Sequence, residues 1–217
     1  MLRQSGPFNN GSLNGLSVTY FQSVGGGGDD RSDAAIVSCD GNGTCNILAE
    51  DYDDAGTITQ KPPGQAPYTV AANGAVSTSG GGPVGFLISQ NKAFLVGTGN
   101  SPAFNWLEPQ TGGPFSNQSV QGTYAGGSLA PLDYTNGHNE VDVGSADGLG
   151  TFTINIDSSK SDGLSQKLGG IGNYSIAANG RGTLPEGSAL AVIYVISPSK
   201  WLVLQPKTDA DVEVFEL

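Results

Sequence analysis

The chain has 217 residues, a formal net charge of −11 from nine Lys and Arg against twenty Asp and Glu, 34 glycines, and charged residues at only 13%. A field of that sign repels a polyanion, so nucleic acid is not an expected partner. No apolar run approaches the roughly 18 residues of a transmembrane helix, and the opening "MLRQSGPFNN" lacks the apolar centre of a signal peptide, leaving a cytosolic protein or one whose export signal lies elsewhere.

Along the chain the apolar residues alternate with period 2 in short runs, the mark of half-buried strands. The first clear pair is "AAIVSCDGNGTCNILAED", residues 34–51, folded about a glycine-rich turn. If Gly41, Asn42 and Gly43 form the loop, Cys39 faces Cys45. Opposed residues in a non-hydrogen-bonded pair lie about 4.5–5.5 Å apart at Cβ, within reach of a disulfide. A hairpin disulfide, which belongs in an oxidising compartment, stands against two free thiols. A metal site would ask for more Cys or His ligands, and the only histidine is His138.

Next come "YTVAANG" (68–74), "GFLISQNKAFLVG" (85–97) and "FNWLE" (104–108), separated by turn signals at intervals of roughly 8–12 residues. The second half then repeats the first in order. "PFSNQSVQG" (114–122) answers "PFNNGSLNG" (7–15), and "VDVGSADGLGTFTINIDS" (141–158) answers residues 34–51. "YSIAANG" (174–180), "VIYVISPSKWLVLQ" (192–205) and "VEVFE" (212–216) answer the remaining three segments. A period near 107 is too long for a solenoid turn, and each copy is long enough to own a core. The predicted division is a first β module over 1–111 and a second over 112–217, joined through "EPQTGGP" (108–114). Residues 1–8 look like a shortened "LEPQTGGPF" (107–115), so the chain reads as two modules of a longer tandem array.

In the second copy eight strands are predicted, near 121–128, 139–146, 150–157, 172–178, 180–185, 188–197, 199–206 and 210–216. No helix is expected, because glycine and β-branched residues interrupt every candidate window. The fold class is therefore all-β: two tandem antiparallel meanders of about eight strands. Short hairpin links favour closure into a barrel, with a two-sheet sandwich as competitor.

The signatures "YxxAANG", Ser-x-x-Lys between two apolar strands, and "LEPQTGGPFSNxS" resemble uncharacterised tandem-repeat modules of long secreted bacterial proteins. That resemblance spans nearly the whole chain, implies an extracellular or cell-surface location and brings no catalytic residues. At fold level the meander also resembles lipocalin- and avidin-like barrels. Their first-strand Gly-x-Trp is answered by Gly122, Thr123 and Tyr124 in copy two and has no clean match in copy one.

Candidate chemistry is sparse. "SQNK" (89–92) and "SPSK" (197–200) match a serine-acylase pattern that needs Ser and Lys one helical turn apart, whereas here they sit in hairpin turns. His138 lies in a polar loop with no evident nucleophile beside it. The acidic runs hold Asp29, Asp30, Asp33, Glu50, Asp51, Asp53 and Asp54. They are weak calcium candidates, Asp51, Asp53 and Asp54 above all, although the spacing is not that of an EF-hand. Trp106 and Trp201 are candidate sugar-stacking platforms whose alternation better suits a core, and Tyr124, Tyr174 and Tyr194 are candidate ligand-facing residues. Asn-x-Ser/Thr at Asn10, Asn42, Asn117 and Asn173 reads as turn chemistry.

These features point to a non-enzymatic extracellular repeat module acting as spacer, adhesion or assembly unit, without cofactor or metal. The expected partners are neighbouring modules of the same or like chains. The alternative is a barrel that binds a glycan or small apolar ligand, and a hydrolase comes last.

Overall fold

The computed structural model describes residues 3–23, 31–54, 56–79, 82–98, 103–129, 139–160, 163–186, 189–206 and 212–217. Strands β1 (Asn14–Ser23), β2 (Arg31–Asp40), β3 (Thr44–Asp54), β4 (Thr57–Lys61), β5 (Gly64–Val70), β6 (Ala75–Thr78), β7 (Val84–Ser89), β8 (Lys92–Val96) and β9 (Ala103–Pro109) form one antiparallel sheet. Its order is β2-β1-β9-β8-β7-β6-β5-β3-β4, and the further pairing of β2 with β3 closes eight of these strands into a barrel. Closure leaves no long unpaired edge. Only β4 stands outside the circuit, hydrogen-bonded to the far half of β3.

The second sheet holds β10 (Gly122–Ser128), β11 (Asn139–Ala146), β12 (Thr151–Lys160), β13 (Gly163–Asn173), β14 (Ser175–Ile176), β15 (Arg181–Glu186), β16 (Ala189–Ser197), β17 (Lys200–Leu204) and β18 (Val212–Glu216). It is open as a hydrogen-bonded ladder, running from β13 to β14, two strands that only Tyr174 separates along the chain. The eight strands expected here become nine. The stretch expected as a connection between 157 and 172 instead completes β12 and forms most of β13. "SSKSDGLSQKLGG" has no apolar alternation, and of the described residues of β13 Leu164 and Ile171 are exposed. Helical structure among the described residues is limited to two 3₁₀ turns at matching places, Asn10–Ser12 and Asn117–Val120. No described helix is long and apolar enough to cross a membrane.

Local chemistry explains the hairpins. Asp40 Oδ1 accepts the backbone N–H groups of Asn42, Gly43 and Thr44, and Asp147 Oδ1 does the same for Leu149, Gly150 and Thr151. Gly41 and Gly43 take positive φ there, as do Gly148 and Gly150. Cys39 pairs with Cys45 in register and the disulfide is formed. Ser89 opposes Lys92 and Ser197 opposes Lys200 across hairpin ends, so neither Ser-x-x-Lys lies on a helix. Asn10 Oδ1 accepts from the Val70 N–H and Asn117 Oδ1 from the Ile176 N–H, so each ties its 3₁₀ turn to a distant strand, a longer reach than the turn chemistry expected of them.

Three apolar clusters result. One fills part of the first barrel around Leu13, Tyr68, Leu87 and Leu107, and one fills the second sheet around Tyr124, Phe152, Trp201 and Phe215. The third, not anticipated from the sequence, lies between the sheets. It joins Val18, Tyr20, Ala34 and Ile36 of the first to Val192, Tyr194, Leu202 and Leu204 of the second.

Candidate functional site

The first barrel is hollow. Its interior encloses about 340 Å³, walled by inward residues of alternating strands such as Ala35, Val37, Ile47, Ala93 and Leu95, with the disulfide in the lining. One end is plugged by the 3₁₀ turn. The Tyr68 hydroxyl lies 2.8 Å from the Leu13 carbonyl and 3.0 Å from that of Asn10, and Phe8 packs beneath.

Polar groups gather at the other end. A bulge in β3, where the partner register jumps from Ile36–Ala49 to Val37–Ile47, leaves Leu48 unpaired and reverses the alternation beyond it. Glu50 therefore lines the cavity while Ala49 and Asp51 face outward into the contact between the sheets. Lys61 on β4 stands opposite Glu50, donates to its carboxylate, and reaches Asp33 Oδ2 at 3.1 Å. Lys61 remains 41% exposed, so this end meets solvent, whereas Asp33 is buried. Burial, and then the neighbouring Glu50 carboxylate, push the Asp33 carboxyl up to about 8 against the opposing pull of Lys61. Near neutral pH the Asp33 carboxyl is thus held protonated. Thr19 and Asn105 add polar groups to the lining.

The corresponding interior of the second sheet is filled. The void among Phe152, Tyr174 and Trp201 measures about 10 Å³, room for a single water at most. Aligned copy to copy, Ala93 is answered by Trp201, Cys45 by Phe152, Leu107 by Phe215 and Ser17 by Tyr124. These four rings interlock, with Trp201 stacked on Phe215 at 4.4 Å and edge-on to Phe152 and Tyr124 at 5.4 Å each.

The five aromatics singled out from the sequence are dispersed, and none of them lines the large cavity. Tyr124, Tyr174 and Trp201 are core residues of the second sheet. The Tyr124 hydroxyl lies 3.0 Å from the Pro198 carbonyl, and that of Tyr174 lies 3.1 Å from the Asn117 carbonyl. Tyr194 is buried between the sheets, where it donates to Asp51, and Trp106 packs at the margin of that contact.

The calcium candidates also separate. Arg181 grips Asp51 with two bonds of 2.6 and 2.8 Å, Asp54 lies 3.7 Å from Arg31, and Asp53 is buried. Among the described residues no three His, Cys, Asp or Glu side chains gather to hold a metal. Asp29, Asp30 and His138 lie outside the described residues. Asp33 and Glu50, read only as members of acidic runs, and Lys61, not singled out at all, form the polar end. The signal that could have found the cavity was Ala93 and Cys45 standing where the other copy carries Trp and Phe.

No protein-family model matches the chain, and no curated protein matches it.

Proposed function

We propose that the chain is a non-enzymatic extracellular binding protein whose first barrel takes a small, uncharged, largely apolar ligand. The observation that carries this reading is the cavity of about 340 Å³ in one copy where the other is solid. Its size falls within the range of small-molecule sites, which combine apolar walls with a few polar groups. A glycan would leave its hydroxyls facing those walls unpaired. An anionic amphiphile would meet Glu50. A hydroxyl or carbonyl on an apolar body suits the hydrogen-bonding groups of Asp33, Glu50 and Lys61 at the polar end.

The test is a fluorescence titration of the full chain with an uncharged naphthylamine dye. Saturable enhancement is expected, with affinity at least tenfold weaker in Ala93→Trp, a substitution that imports the second sheet's filler. An unsaturable response, or equal binding by Ala93→Trp, refutes the reading.

A second reading, as a module of an assembly, draws on the docking of the connecting segment. Gln110 Nε2 donates to the carbonyls of Asn179 and Val195, and Gln4 Nε2 donates to those of Asn73 and Leu87, the same places in the first copy. Thr111 N–H bonds the Ile196 carbonyl as Ser5 N–H bonds that of Ile88. Each copy thus receives its own leading segment in one way.

A further inference from the structure

The contact between the two sheets is made by unlike faces. The first barrel presents the outer face of β1, β2 and β3, and the second sheet presents that of β16, β17 and β18. Such a heterologous contact leaves one face of each kind unused, and repeating it builds an open chain of units.

Both unused faces are apolar and exposed. On the first barrel, the counterparts of Val192, Tyr194, Leu204 and Val212 are Val84, Phe86, Val96 and Phe104. The strand registers agree, because Val84 pairs with Val96 as Val192 pairs with Leu204. In the second copy these positions are buried; in the first, Phe86 is 55% and Phe104 51% exposed, and Phe94 packs against Phe104. On the second sheet, Val141 and Val143 take the places of Ala34 and Ile36, each opposite the same member of its neighbouring strand, and are 65% and 55% exposed. Exposed apolar patches of this kind mark interaction sites.

The ion pairs belong to the existing contact. Lys200 of the second sheet lies 2.8 Å from Glu108 of the first barrel, and the corresponding Lys92 and Glu216 join the same cluster, Lys92 3.4 Å from Glu108 and Glu216 2.8 Å from Lys200. The unused faces therefore offer apolar surface rather than a second set of matched charges. The centres of the used and unused faces, β2 and β8, are three strands apart around the first barrel, so both can be engaged at once. One fastening is missing. Ala75 and Phe86 stand where Arg181 and Tyr194 hold Asp51, so contact between separate chains is reversible.

From this continuity we infer that a second copy of the chain docks head to tail, its β10–β12 face covering the β7–β9 face of the first barrel. The surface is distinct from the ligand cavity, and its test is independent of that reading.

Sedimentation velocity on the full chain should show average mass rising with concentration into the millimolar range. Phe86→Glu and Val143→Glu are exposed substitutions on opposite faces, and each alone should abolish the rise. An equimolar mixture should recover a dimer and stop there, because each variant keeps the face that the other lacks. A wild-type chain that stays single at millimolar concentration overturns the inference. So does self-association of Val143→Glu equal to wild type, which would mean that the β7–β9 face pairs with itself.

Discussion

The two halves follow nearly the same register around their interiors, yet the first holds a cavity of about 340 Å³ whereas the aromatic cluster of the second leaves a void of about 10 Å³. The first sheet closes into a barrel and the second stays open as a ladder. Four aligned positions differ as well, carrying Ala93, Cys45, Leu107 and Ser17 in the hollow half and Trp201, Phe152, Phe215 and Tyr124 in the filled one. An eight-stranded barrel sits at the size where side chains just fill the interior or leave room for one small ligand. Similar strand registers thus surround a cavity in one half of the chain and an aromatic core in the other.

The sharpest way to break this contrast is to empty the solid copy. Trp201→Ala removes the ring that touches Phe152, Tyr124 and Phe215 and should cost about 3–5 kcal/mol in urea-monitored unfolding. The same variant should bind the uncharged dye at a second site. A loss below about 1 kcal/mol, well under the large-to-small range, would mean that the rings re-pack and that the solid core does not hinge on Trp201.

The next effect separates the two interiors by pH. The Asp33 carboxyl titrates near 8 in the folded chain and near 4 unfolded, so between those values the folded state holds the extra proton. The resulting stability is complete below about pH 4 and is lost as pH rises through about 8. One proton bounds the slope at about 1.4 kcal/mol per pH unit, so the fall from pH 5 to pH 7 stays below about 3 kcal/mol. Asp33→Asn should flatten that descent relative to wild type, and Ser158→Ala in the second sheet should leave it unchanged. Parallel wild-type and Asp33→Asn curves would show that the Asp33 carboxyl is not held protonated.

Much of the architecture was legible because strands announce themselves by alternation. Phe152 and Ile154 face the core of the second sheet as their spacing required, whereas Ile156, expected on the same face, is not part of that core because the register of β12 shifts between Ile154 and Ile156. Cys39 met Cys45 because a three-residue loop fixes the register. The cavity was hidden by a detail that alternation cannot show. The bulge at Leu48 switches which residues face inward, so Glu50 and Asp51, neighbours in one acidic run, serve the cavity and the inter-sheet contact respectively. Lys61 lies on β4, a polar strand outside the barrel circuit, with no pattern to single it out. The contact between the sheets did leave a trace. "AAIV" (34–37) and "ALAVIYVIS" (189–197) are apolar without alternation, as strands buried on both faces are.

The smallest effect concerns the disulfide, which only the first copy has. It closes a loop of seven residues, so its removal in Cys39→Ala with Cys45→Ala should cost about 2 kcal/mol. In the second copy Ala146 and Phe152 hold the same two positions and restrain the hairpin by packing instead. Cys39→Ala with Cys45→Phe should therefore recover part of the stability while weakening dye binding, because the ring enters the cavity that the disulfide leaves open. Recovery without weaker binding would place that ring outside the barrel. It would also remove position 45 from the residues that distinguish the hollow interior from the solid one.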